Sequence, residues 1–184
     1  MNKQRYPQRQ SIRFCGYDYS QEGLYFVTIC VKDKACLFGN VVDDEMVLND
    51  VGRIACEEWK NTEILRKNIR LAEFIIMPNH VHGIIEIMDV GANCICPQIT
   101  MSECNSPLQT ENKFWSPSQT LGAIVRGYKS AVTKQINKLY KAQNMVIWQR
   151  NYYEHIIRND DSYQKITEYI YKNPENWQRD DYYK

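Results

Sequence analysis

The 184-residue chain has almost no net charge, very few histidines and no long hydrophobic run. Its 23 Lys and Arg nearly cancel 22 Asp and Glu, for a formal net charge of +1. That balance excludes a global basic field, so any phosphate-binding surface must come from local clustering. No apolar segment reaches the ~20 residues of a membrane span. The start, Met1-Asn2-Lys3-Gln4-Arg5, is basic but no apolar stretch follows it, so no signal peptide is expected. Seven Cys are present, an odd number, and most lie in apolar segments. Reduced thiols and a cytoplasmic location are the expectation. Cys94, Cys96 and Cys104 lack C-x-x-C spacing and a nearby His, so incidental loop thiols are preferred there over zinc.

What is present is a hydrophobic content of 43%, enough for one sizeable core in one domain spanning residues 1–184. Residues 1–22 read as a basic arm. Residues 89–117, rich in Ser, Thr, Asn, Gly and Pro, read as a flexible insertion. Between and beyond them, Leu24 to Lys32 predicts a central strand and Leu37 to Leu48 a hairpin turning at Asp43-Asp44. Asp50 is placed as the cap of a helix from Val51 to about Ile64. Strands follow over 69–76 and 80–88, joined tightly by Pro78-Asn79. A long helix is predicted from Ser118 to about Gln143, then a strand within 145–158. Asp160 or Asp161 would cap a last helix through Tyr171. This order predicts an α+β fold with a ferredoxin-like or RRM-like palm. Its antiparallel sheet would carry helices mainly on one face.

Two of the three His, His80 and His82, sit two apart at the start of a strand. Side chains on a strand alternate, so both imidazoles share a face while Val81 points into a core. A His-x-His pair is commonly a surface or hydrogen-bonded pair, but apolar flanks on both sides make this strand a covered one. Burying two imidazoles there costs free energy unless each has a partner, and a divalent cation is one such partner. On the last helix, Tyr169 and Asn173 are four apart and share a face. Ile166 and Ile170 share the neighbouring face, toward the sheet. The Asn173 amide oxygen is then a candidate third ligand and Tyr169 a candidate nucleophile. With 13 Tyr in the chain, Tyr169 by itself would be read as a rim or core residue; the histidines change that reading. Tyr171 is the rival nucleophile, on a different helix face.

Three segments in order give a family resemblance. They are Met77-Pro78-Asn79-His80-Val81-His82-Gly83, Trp148-Gln149 with Tyr153-Glu154-His155-Ile156-Ile157-Arg158-Asn159, and Tyr169-Ile170-Tyr171-Lys172-Asn173-Pro174. Gly16-Tyr17-Asp18-Tyr19 and Phe26-Val27-Thr28 add to them. Over roughly residues 10–176 the chain resembles the REP-associated tyrosine transposases, relatives of the single-tyrosine transposases of insertion sequences. The resemblance implies that His80, His82 and Asn173 bind Mg²⁺ or Mn²⁺. It implies that Tyr169 attacks a phosphate of single-stranded, hairpin-forming repeat DNA, leaving a 5′-phosphotyrosine and a free 3′-OH. A homodimer exchanging the tyrosine helix and a monomer both fit it. His155 is expected to support the site, with DNA contact or a structural role as the alternatives. Arg150, Arg158, Arg126 and Lys129 are candidate phosphate contacts, or else solvated surface charges. Two other readings compete. One is a non-catalytic single-strand binder on the same sheet. The other is a hydrolase using Glu86 or Glu154 as general base.

Overall fold

The computed structural model describes residues 21–88, 120–142 and 145–183. The expected arm, the 89–117 insertion and the Cys94–Cys96–Cys104 group therefore lie largely or wholly outside the described residues. Among the described residues the strands and α-helices follow in order: β1 Gly23–Cys30, β2 Gly39–Val42, β3 Glu45–Leu48, α1 Asp50–Ile64, β4 Ile69–Ile76, β5 His80–Ile87, α2 Leu121–Leu139, β6 Tyr153–Ile157 and α3 Asp160–Tyr171. Four strands make an antiparallel sheet in the order β4-β5-β1-β6, and β2-β3 form a separate hairpin.

The β-branched and aromatic run of β1 sits between two partners, as a central strand must. Its alternation splits the molecule into two layers. Tyr25, Val27 and Ile29 face a core built with Val51, Ala55 and Trp59 of α1 and Leu121, Ile124, Val125, Tyr128, Val132 and Ile136 of α2. Phe26 faces the other way and packs with Ile84, Ile157 and Ile170 of α3. Two helices thus cover one face, and the third covers the opposite one. The α+β sheet architecture read from the sequence is the one observed.

Local chemistry explains the element ends. Asp43 and Asp44 adopt φ of 50° and 60°, the left-handed pair that a two-residue hairpin turn requires. The N-cap of α1 is Asn49, whose side chain accepts from the Gly52 N–H, rather than the expected Asp50. Likewise Asn159, not Asp160 or Asp161, caps α3 through the Ser162 N–H. Thr120 caps α2, which runs shorter than the predicted Ser118 to Gln143. For α1 and α3 the capping side chain is the asparagine just before the expected carboxylates, whose amide oxygen accepts from the N–H three residues on. Gly83 in β5 is fixed by packing: a Cβ there would lie 2.4 Å from the Trp59 ring.

Candidate metal and tyrosine site

The tight β4–β5 connection closes with the Met77 N–H donating to the His80 carbonyl at 2.8 Å. It delivers His80 and His82, both buried, to the α3 side of the sheet, with ring centroids 4.3 Å apart. Val81 enters the opposite core, as alternation requires.

Each imidazole is oriented through Nδ1. The Asn79 amide nitrogen donates to the Lys34 carbonyl at 3.1 Å and the Tyr182 carbonyl at 2.8 Å. Its oxygen therefore faces His80 Nδ1, at 2.9 Å. Since that oxygen only accepts, Nδ1 carries the proton, and Nε2 is left with its lone pair. Nε2 of His80 is buried and has no hydrogen-bond partner. On His82, Nδ1 meets Thr28 Oγ1 of the adjacent β1 at 2.9 Å. Burial pushes the His80 pKa down to about 3; the neighbouring Asn173 amide opposes this, and the Lys34 charge adds to it. Burial, then the His80 charge, takes His82 well below the usual value. Both rings are neutral near pH 7, the state in which a histidine binds a metal.

The second half comes from α3 and the chain beyond it. Tyr169 Oη lies 3.2 Å from His82 Nε2. Burial first, then the charges of Asp180 and Tyr182, raise its pKa to about 12. After α3 the chain doubles back through a 3-10 turn, Trp177–Arg179, which brings Asp180 to the site. The Asn173 amide nitrogen donates to Asp180 Oδ2 at 2.9 Å. Its oxygen is left buried and without a hydrogen-bond partner. Asp180 Oδ1 accepts from the Tyr182 N–H at 2.7 Å, and the Tyr182 ring sits 4.6 Å from His80.

The donor set fits a divalent cation. His80, His82 and Asp180 each offer an atom within 4.8 Å of the others. Two buried acceptors, His80 Nε2 and Asn173 Oδ1, lack a proton donor, and a cation would satisfy both. Asp180 was not read from the sequence. The only signal was a carboxylate pair, Asp180-Asp181, just past the Asn-Pro that ends the last motif.

The remaining candidates are scattered. His155 is exposed on β6 opposite Phe26, on the imidazole face but outside the donor cluster. Arg150 is exposed just before β6 and Arg158 just after it. Arg126 and Lys129 belong to α2, whose buried side chains join the core on the far side of the sheet. The Lys129 ammonium donates to the carbonyls of Gln149 and Asn151 at 2.8 and 2.9 Å, and burial lowers its pKa to about 8. The structure thus gives it an internal tethering contact. Glu86 stands opposite Leu24, four positions along from the Thr28–His82 pair, about 13 Å away at strand rise. Glu154 stands opposite Val27, on the α1–α2 face. Neither carboxylate is placed as a base beside the imidazoles. Tyr171 is 68% exposed and turned away from them, whereas Tyr169 is 44% exposed.

An uncharacterized protein of Haemophilus influenzae is 44% identical over 178 residues, covering 95% of this chain and 93% of that one. The two chains belong to one family. A second Haemophilus influenzae protein, provisionally named a REP-associated tyrosine transposase, is 24% identical over 85% of this chain and 73% of its own length. A REP-associated tyrosine transposase solved bound to a REP hairpin shares the fold, with a TM-score of 0.58 and 16% identity. That match covers 92% of this chain and 74% of the other. No protein-family model matches. No helix among the described residues is long and apolar enough to cross a membrane.

Proposed function

We propose that this protein is a metal-dependent single-stranded DNA endonuclease and strand transferase, a transposase of the REP-associated tyrosine type. It would act on hairpin-forming repeat DNA through a 5′-phosphotyrosine. The observation that carries this reading is the 3.2 Å approach of Tyr169 Oη to His82, beside two buried acceptors with no donor. A structural tyrosine needs no such neighbours. The transposase fold of the solved neighbour and the provisional name of the sequence relative support it.

His80 Nε2, His82 Nε2, Asn173 Oδ1 and Asp180 would hold Mg²⁺ or Mn²⁺, the two imidazoles suiting Mn²⁺ better than an all-oxygen site would. When bound, that cation supplies positive charge that polarises the phosphodiester and offsets the burial and acidic neighbours holding the Tyr169 phenol near 12. The chain's own part is placement. Tyr169 Oη bonds to phosphorus as the P–O3′ bond breaks. The 3′ oxygen leaves with the electron pair and is protonated, and the phenolic proton is lost to solvent. The phosphotyrosine conserves the bond for rejoining. Phe26 holds the nucleophile's ring from the sheet, edge-on at 6.2 Å, so the phenol keeps one orientation.

The test is incubation with end-labelled single-stranded hairpin oligonucleotides and Mn²⁺, followed by a denaturing gel. A covalent protein–DNA band that disappears in Tyr169→Phe is expected. DNA bound but never cut or attached would instead favour the non-catalytic binder. The homodimer expectation is checked by light scattering with and without the hairpin.

A further inference from the structure

Tyr169 opens into a groove of about 440 Å³ on the solvent side of α3. Its walls carry three cations, Lys165, Lys172 and Arg179, with Asn176, and three carboxylates, Glu168 on the helix and Asp180 and Asp181 on the metal side of the groove. Lys165, Tyr169, Lys172 and Asn176 follow one another at spacings of four, three and four, so they form one stripe along the helix and its last turn. The adjoining stripe, Ile166 and Ile170, is committed to the sheet, which leaves the charged stripe facing outward.

We infer that this groove seats the phosphodiester backbone of the single strand, with Lys165 and Lys172 taking the phosphates on either side of the one at Tyr169. The inference rests on the nuclease reading and deepens it. Seven residues separate the two lysines, about 10 Å along a helix axis. Two steps of a nucleic-acid backbone cover about 7 Å when stacked and more when drawn out. The nucleophile lies between the two cations, where the middle phosphate must be. Lys165 and Arg179 form no ion pair among the described residues, while Lys172 is held by Glu168 at 2.5 Å. That pair is exposed, so a phosphate can take the place of the carboxylate at small cost. Glu168 therefore competes with the strand for Lys172.

The experiment measures binding of fluorescein-labelled single-stranded hairpins with unpaired flanks, across a salt series, in the full-length Tyr169→Phe protein so that nothing is cut. Lys165→Gln and Lys172→Gln should each reduce the slope of log K against log salt by about 0.7, one single-strand phosphate contact apiece. Glu168→Gln should tighten binding several-fold. Lys138→Gln on α2 removes the same charge far from the groove and should leave the slope unchanged. Slopes unaltered in both lysine variants, or a Glu168→Gln protein that binds more weakly, overturn the groove as the seat. Absence of any single-strand binding by the parent protein overturns the nuclease reading itself.

Discussion

Asn173 donates its amide nitrogen to Asp180 at 2.9 Å, and this bond fixes which end of the amide faces the imidazoles. Rotating the amide would satisfy His80 Nε2 with an N–H, but would set the amide oxygen against the carboxylate. Asp180 thus holds a bare oxygen in the site and adds a charge of its own.

Asp180→Ala should weaken Mn²⁺ binding about 10–100-fold, the usual scale for losing a group that orients a ligand. Asp180→Asn should fall between that variant and the parent protein, because its oxygen can still accept from Asn173 while the charge is gone. Mn²⁺ titration followed by electron paramagnetic resonance reads this without DNA. Equal affinities in all three proteins would remove Asp180 from the site.

The buried imidazoles set a pH dependence for the metal-free protein. Both have folded-state pKa values below their unfolded ones, so the unfolded chain binds more protons once pH drops under about 6.5. Stability is full above that pH and is lost as pH falls toward 3, where His80 titrates in the fold. The loss approaches about 1.4 kcal/mol per pH unit for each histidine. Urea unfolding in EDTA at pH 7.5 and pH 5 measures it, and His80→Gln should show a smaller drop between the two. An equal drop would mean that other groups carry the acid sensitivity.

Most of the fold was legible because alternation and helical spacing are local. The His80 and His82 face, the inward Val81 and the sheet-facing Ile166 and Ile170 all followed from period alone. The Tyr169–Asn173 pairing did too. What could not be read depends on where distant backbone returns. Asp180 reaches the imidazoles only because the chain turns back after Pro174. Lys129 looked like a free helix charge because nothing in its own helix reveals that the carbonyls of residues 149 and 151 cross above it. Asn79 looked like a turn former, yet its amide fixes the His80 tautomer through two carbonyls from elsewhere in the chain.

Tyr169 and a cation make competing claims on the same atom, His82 Nε2. Tyr169→Phe removes one hydrogen bond, worth about 1 kcal/mol, that the free protein must give up. The variant should bind Mn²⁺ no more weakly than the parent protein, and up to about fivefold more tightly. It should also form no DNA adduct. Tyr171→Phe should change neither property, since that ring is 68% exposed and outside the cluster. Adduct formation by Tyr169→Phe and its absence in Tyr171→Phe would reverse the assignment of nucleophile.

Gly83 sits between the histidine pair and the core, and its missing Cβ makes room for Trp59. An added methyl would lie 2.4 Å from the indole, which is itself buried against Phe74 and Tyr128. Gly83→Ala should therefore destabilise the protein by about 1–3 kcal/mol through overpacking, more than a β-strand glycine replaced in open space. The cause can be isolated with a second substitution. Trp59→Leu alone removes aromatic packing and should be costly. On that background, however, the further step Gly83→Ala should cost less, because the indole atoms at 2.4 and 3.0 Å are gone and Phe74 Cβ, at 3.1 Å, is the close neighbour that stays. Urea unfolding of the four proteins gives the coupling directly. If the alanine is as damaging without the indole as with it, the glycine is required by the backbone of β5 and not by the tryptophan.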